Sequence, residues 1–397
     1  MRVPSGVFLL SVVLGTAGCG SGSGSAPTPT PPPPPSVSVA TPTCPAVVQR
    51  GVTSWNGTPW YVCSTSVSNA SNTAVTWSSG STTMLTIGSS TGVLTPLARG
   101  KVTVTATSVA DATKSASTTV DVVDRVVAGV EEPLAWQPGD KGILLWYFET
   151  DGSDSKELLF TRECWYPAMS PDHRHIACST FPLPTETLNG TELIVVATDG
   201  TPAGTTASAP LTNIKGVISE AWSPDGKSIA LVGWQSDAAD PGETSVGVFT
   251  INADGSGLTQ LTSELFAGNF IRVPGPASFS PDGKKIAYGV DADDYIRLMN
   301  SDGSNIVVLP VQGFSPTFTL DGTRILFFAA GTGQIESVNT DGSDPQAVVN
   351  LGSYYFAISP DGSRIAFQQR SGIYVANIDG SNPTLVPGSS LTSGLGW

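Results

Sequence analysis

One short unit recurs along residues 125–397, and this repetition constrains the fold more than any other feature of the sequence. Its first marker is Ser-Pro-Asp-Gly or a close variant, and its second marker is Asp-Gly. The two markers alternate strictly, and short apolar runs separate them. The first marker occurs at 170–173, 223–226, 280–283, 319–322 and 359–362, with a worn copy at 137–140, and the second begins at residues 151, 199, 254, 302, 341 and 379.

Each repeat predicts four antiparallel strands, A to D. An Asp-Gly pair closes a tight hairpin because Asp tolerates turn conformations and Gly accepts positive φ. The first marker therefore joins A to B, and the second joins C to D. A lone four-stranded sheet cannot bury both faces, so the copies must pack around an axis, which predicts a six-bladed β-propeller. We interpret the first-marker aspartates as structural turn residues: Asp172, Asp225, Asp282, Asp321 and Asp361.

The repeat resembles that of TolB-type propellers, in which a WSPDGKxIAF segment is followed by DGSxxxxLT. Trp222 followed by SPDGKSIALV and Phe279 followed by SPDGKKIAYGV carry this resemblance, which covers essentially all of 125–397. TolB-like proteins are periplasmic and associate with envelope lipoproteins and membrane machinery, so the resemblance implies macromolecular contacts. TolB itself has a small α/β domain before its propeller, and this chain does not follow that pattern, so the specific TolB partners are not implied.

The last residues predict how the ring closes. Trp397 holds the place that Trp222 holds before its own marker, as if a seventh unit began and stopped. We expect residues 391–397 to pair as a strand with the first blade, near Trp136.

The N-terminus predicts export and a lipid anchor. Arg2, an apolar run over 7–14 and small residues at 16–18 form a signal peptide, residues 1–18, that is too short to span a bilayer. Its end resembles a bacterial lipobox, although Thr16 stands where Leu is usual, and this implies acylation of Cys19. The alternative is an ordinary signal peptide that is cut nearby. Gly20 after the cysteine implies outer-membrane sorting in a Gram-negative cell.

Two segments separate the anchor from the propeller. Residues 19–36 are rich in Gly, Ser and Pro and offer no apolar side chains for a core, so they predict a disordered linker. Residues 37–124 alternate apolar and polar residues in short runs, which predicts an antiparallel β-sandwich. The order VTWSS, TIGSSTGVLT, ARGKVTVTATS and TTVDVV resembles group 2 bacterial Ig-like domains. Such domains are commonly spacers or adhesion modules, and we favour a spacer.

Charge and cysteine content limit the partners and cofactors. A formal net charge of −14 disfavours nucleic acid, whose phosphates bind Lys and Arg. With Cys19 assigned to the anchor, an exported chain is expected to pair the other four, as Cys44–Cys63 and Cys164–Cys178; free buried thiols are the alternative. The acidic group at 291, 293 and 294 lacks the Asp-x-Asp-x-Asp-Gly pattern of calcium loops. We predict no metal and no cofactor.

Marker spacing locates a candidate binding face. The intervals from Asp172 to Asp225 and from Asp225 to Asp282 are longer than the next two. The extra residues lie at 181–190 and 234–245, both B–C connections, and at 263–276, a D–A connection. B–C and D–A connections share one end of a propeller, so we expect these insertions to emerge side by side, with the alternative that their aromatics only cover the rim. They carry Phe181, Trp234, Asp237, Asp240, Glu243, Phe266 and Phe270.

These features predict a macromolecule-binding or scaffold lipoprotein of the bacterial cell envelope, monomeric, with an envelope or extracellular protein as partner and membrane contact only through the lipid. A carbohydrate-binding surface protein is the main alternative, and a propeller-type hydrolase or lyase is the weaker one. We expect no enzymatic activity, because the only histidines, His173 and His175, lie at the worn turn of the second unit and no α/β-hydrolase domain follows.

Overall fold

The computed structural model describes residues 34–131, 143–158, 164–180, 192–198, 207–210, 214, 216–236, 244–266, 276–289, 293–350, 355–369, 371–390 and 392–397. All regular elements in these ranges are β-strands, which confirms the predicted all-β fold.

Residues 37–123 form an N-terminal β module of short strands. In its main sheet, β2 runs parallel to β10, and β10, β9 and β6 pair antiparallel. Valine and threonine alternate along β9, so Val102 and Val104 enter the core beside Trp77 while Thr103 faces water. The strands are β1 (Ser38–Val39), β2 (Val47–Gln49), β3 (Ser54–Trp55), β4 (Thr58–Pro59), β5 (Val67–Ser68), β6 (Val75–Ser79), β7 (Leu85–Ile87), β8 (Leu94–Pro96), β9 (Gly100–Ser108) and β10 (Ser115–Val123).

Blades 1 to 3 follow directly from the module. Blade 1 contains β11 (Arg125–Glu131), β12 (Ile143–Glu149) and β13 (Ser155–Glu157). Blade 2 contains β14 (Trp165–Met169), β15 (His175–Thr180), β16 (Glu192–Ala197) and β17 (Ala207–Pro210). Blade 3 contains β18 (Gly216–Trp222), β19 (Ser228–Ser236), β20 (Thr244–Asn252) and β21 (Thr259–Gln260), and β22 (Glu264–Phe266) also pairs with β20.

Blades 4 and 5 share one long strand, β26 (Val307–Phe318), whose first half pairs with β25 and whose second half pairs with β27. Blade 4 also contains β23 (Ser278–Phe279), β24 (Lys285–Gly289) and β25 (Tyr295–Asn300). Blade 5 also contains β27 (Arg324–Ala329), β28 (Ile335–Asn339) and β29 (Gln346–Val349). Blade 6 contains β30 (Phe356–Ile358), β31 (Arg364–Gln369), β32 (Gly372–Asn377) and β33 (Thr384–Leu385).

The C-terminal strand β34 (Thr392–Gly396) completes blade 1 as its innermost strand. It pairs with β11, and Ala128 lies opposite Leu395. Side chains from blades 6 and 1 share a buried cluster that includes Ala366, Val126 and Trp397. Five comparable clusters lie at the other blade interfaces, so the ring is closed.

The prediction that residues 137–140 form an A–B turn is wrong. This segment falls between β11 and β12, which are the second and third strands of blade 1, so its position is a B–C connection and not an A–B turn. Blade 1 needs no A–B turn because its A strand is β34, from the other end of the chain. The strand that β34 joins is β11, and Trp136 lies outside the described residues.

Candidate functional site

The five A–B turns have a common hydrogen-bond pattern. In blade 4, Ser280 Oγ donates to Asp282 Oδ1 at 2.7 Å, and the Lys284 amide donates to the same oxygen at 3.1 Å. Ser280 Oγ in turn accepts from the Lys285 amide at 2.9 Å, and Gly283 has a positive φ of 72°. The Ser280 and Lys284 hydrogen bonds hold the pKa of Asp282 below its usual range. The other four turns have the same bonds.

The A–B and C–D turns lie at one end of the ring, which we call the turn face. The N-terminal module lies against it. Tyr61 Oη donates to the Asp172 carbonyl at 2.9 Å and accepts from the Gln49 amide at 3.2 Å. Burial raises the pKa of the Tyr61 phenol, which keeps it neutral. The Gln49 side chain also exchanges hydrogen bonds with the Arg125 backbone, at 3.3 and 3.2 Å.

Two arginines of the module extend this contact through ion pairs. Arg50 lies 3.4 Å from Asp361, in the A–B turn of blade 6. Arg99 lies 2.6 Å from Asp151, in the C–D turn of blade 1, and 3.3 Å from Glu149, whose side chain is only 2% exposed. No sequence signal identified these residues, because their partners lie far along the chain. The module and the propeller belong to one compact unit, Val37–Trp397.

A cavity of about 790 Å³ lies on the ring axis, lined by the innermost strands of all six blades. Trp55, in the β3–β4 hairpin of the module, and Trp60, directly after it, also line the cavity, so the module covers part of its mouth at the turn face.

Glu220 on β18 lines this cavity and is 4% exposed. Neither carboxylate oxygen has a hydrogen-bond partner among the described residues, although Ser179 lies close enough to act on the pKa. Burial raises the pKa of Glu220 well above its usual range, and the effect of Ser179 is smaller and opposite. The carboxyl is therefore biased towards its neutral form. Among the described residues that line the cavity, the other carboxylate belongs to Asp361, which its turn and Arg50 already engage.

The B–C and D–A connections lie at the opposite end of the ring, which we call the loop face. Five of the seven candidate binding residues lie outside the described residues: Phe181, Asp237, Asp240, Glu243 and Phe270. The other two, Trp234 and Phe266, are described through their backbones only.

The expectation that Trp234 and Phe266 lie in loops is wrong. Trp234 belongs to β19, opposite Gly216 and Val246, and Phe266 belongs to β22, opposite Thr244. Parts of the insertions at 234–245 and 263–276 therefore lengthen the sheet of blade 3 instead of forming irregular loops. Register with β20 places both residues near the loop-face end of this sheet.

The cysteines and acidic groups are placed as follows. The structure pairs Cys44 with Cys63 in the module, and Cys164 with Cys178 in blade 2. Asp293 binds Arg297 through both carboxylate oxygens, at 2.9 and 2.7 Å. Across the described ranges, no group of three His, Cys, Asp or Glu side chains is arranged to hold a metal ion. Nor does the described part of the chain contain a helix with the length and hydropathy needed to cross a membrane. Cys19 lies outside it.

Comparison with known proteins supports the fold. No protein-family model matches the chain, and no curated protein matches it. Among solved structures, TolB from Acinetobacter baumannii is similar, with 15% identity over 76% of this chain and 80% of that chain and a TM-score of 0.52. The periplasmic gluconolactonase PpgL from Pseudomonas aeruginosa has 15% identity over 67% of this chain and 84% of that chain, with a TM-score of 0.45. The chain is thus an all-β protein whose six-bladed β-propeller is similar to that of TolB.

Proposed function

We propose that this chain is a lipid-anchored protein of the bacterial cell envelope that binds an envelope or extracellular protein through the loop face of its propeller. The observation that carries this proposal is the position of the N-terminal module on the turn face. Tyr61, Arg50 and Arg99 tie the module to blades 1, 2 and 6. A partner that approaches the ring end-on therefore meets the loop face, where the sequence has its insertions.

The anchor and the spacing fit this orientation. Acylation of Cys19 would attach the chain to a membrane, and residues 20–36 would form an extended spacer. The module, which we take to be an Ig-like spacer domain, follows the linker in the chain and precedes the ring. The sorting signal at Gly20 places the protein in the outer membrane in this proposal.

A binding role is favoured over glycoside hydrolysis by the chemistry of the central cavity. Glycoside hydrolysis ordinarily uses two carboxylates that flank the scissile bond. The described lining offers Glu220 and Asp361, and Asp361 is held by its own turn hydrogen bonds and by Arg50. Glu220 alone lacks the partner that this reaction class needs. A carbohydrate ligand on the loop face is the second candidate, because the insertions carry Phe181, Trp234, Phe266 and Phe270, and aromatic side chains are suited to stacking on sugars.

Crosslinking in native membranes tests the proposal. The intact lipoprotein would be crosslinked in cells, purified and compared with Trp234→Ala and Phe270→Ala variants. We expect both variants to lose the crosslinked partner, and Leu320→Ala, which removes a 55% exposed side chain on the turn face, to retain it. Equal capture by all three variants would exclude the loop face. A glycan array with the same variants would distinguish a sugar from a protein partner.

A further inference from the structure

A second cavity, of about 580 Å³, lies where the N-terminal module meets blades 1 and 2. We call it the junction cleft. Both sides of the junction contribute to its lining, so a molecule bound there would contact the module and the propeller together. The polar residues relevant to binding are Gln49 and Tyr61 from the module, Arg125 and Tyr147 from blade 1, and His173, Arg174 and His175 from blade 2.

The ionisable groups that line the junction cleft are basic or phenolic. Two arginines and both histidines of the whole chain lie there, and none of the described lining residues is Asp or Glu. The chain as a whole has 33 acidic against 19 Lys and Arg residues. The lining is therefore basic, whereas the chain as a whole is acidic, and a basic lining favours an anion.

Of the two arginines that line the cleft, Arg174 is the one that forms no ion pair with a described residue. Of the seven arginines that the structure describes, six form ion pairs with Asp or Glu, and Arg174 does not. Its guanidinium donates to the Trp60 carbonyl at 3.3 Å and lies 5.7 Å from the centre of the Tyr61 ring. These contacts hold the side chain at the junction and leave further N–H donors for a ligand.

The histidines supply a second observation. Nδ1 of His173 is buried and has no hydrogen-bond partner among the described residues, although a buried polar atom normally has one. Nδ1 of His175 lies 3.9 Å from Asp172 Oδ1, and that oxygen already accepts from Ser170 Oγ and from the Arg174 amide. The Nδ1 atoms of His173 and His175 are thus available for a further hydrogen bond, and both histidines adjoin Arg174 in the sequence.

We propose that the junction cleft binds an oxyanion, a carboxylate or a phosphate group, through Arg174 and the two histidines. Arg125 would play a positioning part, because Glu149 and the Tyr147 ring hold its guanidinium at 2.8 and 4.0 Å. Arginine suits this ligand because its planar N–H donors match two oxygens at once. A ligand in the cleft would also strengthen the contact between module and propeller, since binding stabilises the state that presents the site.

The experiment uses the fact that the chain has only two histidines. Imidazole resonances of the folded protein would be followed by NMR at constant pH and ionic strength, during titration with inorganic phosphate and, separately, with galacturonate as a carboxylate probe; sodium chloride is the control for ionic strength. We expect saturable shifts of both imidazoles with at least one probe, and the probe that saturates identifies phosphate or carboxylate as the source. Saturation with neither would overturn the proposal.

A matched pair of variants makes the result specific. Arg174→Gln should weaken binding at least tenfold, which corresponds to about 1.4 kcal/mol. Lys227→Gln removes a positive charge at the same turn position of blade 3, outside the cleft, and should leave binding unchanged. Equal weakening by both variants would show a general charge effect and overturn the site. Arg174→Lys, which keeps the charge, should retain measurable binding, and this holds even if the glutamine variant folds poorly.

Discussion

The turns of blades 2 and 6 and the turn of blade 4 have the same local hydrogen bonds, but they differ in what covers them. The Asp172 and Asp361 side chains lie under the N-terminal module and are 19% and 28% exposed, against 57% for Asp282. A single motif thus serves as a simple hairpin in one part of the ring and as an interface in another. The difference arises from the module, not from the motif.

The largest effect is expected from loss of the closing strand, because the closed ring carries both the covered and the open turns. Deletion of residues 391–397 takes β34 from blade 1, exposes the β11 edge and opens the cluster around Val126 and Ala366. Because edge hydrogen bonds and a packed core are lost together, we expect a loss of several kcal/mol and a sharply lower melting temperature in calorimetry. A seven-residue deletion within 20–36 is the control and should leave the melting temperature unchanged. An unaltered melting temperature after the C-terminal deletion would contradict closure by β34.

A pH experiment distinguishes the covered turn of blade 2 from the open ones. His173 stands there in place of Gly, with a φ of 55°, and burial lowers its pKa to about 4. Between about pH 6.5 and pH 4, the unfolded chain binds a proton at His173 that the folded chain does not bind. The free energy of unfolding therefore decreases as the pH falls through this range, by on the order of 3 kcal/mol. Urea unfolding at pH 7.5 and 5.0 would measure part of this loss.

The control for this effect is His173→Gly, which restores the motif of the other turns. We expect this variant to lose less stability than the wild type between pH 7.5 and 5.0, a range above the carboxylates' ordinary titration. If both proteins lose the same amount, the loss does not come from His173.

The next largest effect on stability is expected from the Tyr61 hydroxyl, which contacts the covered turn of blade 2. In Tyr61→Phe, the Gln49 amide and the Asp172 carbonyl lose a buried partner. We expect a cost of about 1 to 3 kcal/mol in chemical denaturation, because unpaired buried polar groups are expensive. Tyr374→Phe removes an exposed hydrogen bond with Ser371 and should cost less than about 0.5 kcal/mol. Similar costs for the two variants would mean that the module contact contributes little.

The sequence predicts the ring better than it predicts the contacts on the ring. Alternating markers and strand periodicity are local, so the blades follow from residues near one another. The closing strand pairs across the chain, and its prediction came from the place of Trp397 in the repeat. The error at 137–140 arose because an A–B turn is absent from blade 1, whose A strand comes from the opposite terminus. Arg50 with Asp361 and Tyr61 with Asp172 depend on the docked position of the module. No periodic pattern encodes that position. The sequence of the strand that contains Glu220 likewise gave no indication that this carboxyl is buried.

The smallest expected effect is the difference in stability cost between alanine substitutions at two aspartates that have the same turn geometry. Asp361→Ala and Asp282→Ala each remove hydrogen bonds from a serine hydroxyl and a backbone amide. Both should cost about 1 kcal/mol for these bonds. Asp361→Ala also removes a hydrogen bond from the Ser363 hydroxyl, at 2.6 Å, and the ion pair with Arg50, whose side chain is 28% exposed. A partly exposed ion pair adds less than about 1 kcal/mol.

A double-mutant cycle isolates that pair. Arg50→Gln should destabilise the wild type more than it destabilises the Asp361→Ala variant, and it should destabilise the Asp282→Ala variant as much as the wild type. Equal coupling to both aspartates would mean that Arg50 acts through long-range charge. In that case Asp361 would be an ordinary hairpin residue like Asp282, and the covered and open turns would differ in exposure without differing in energy.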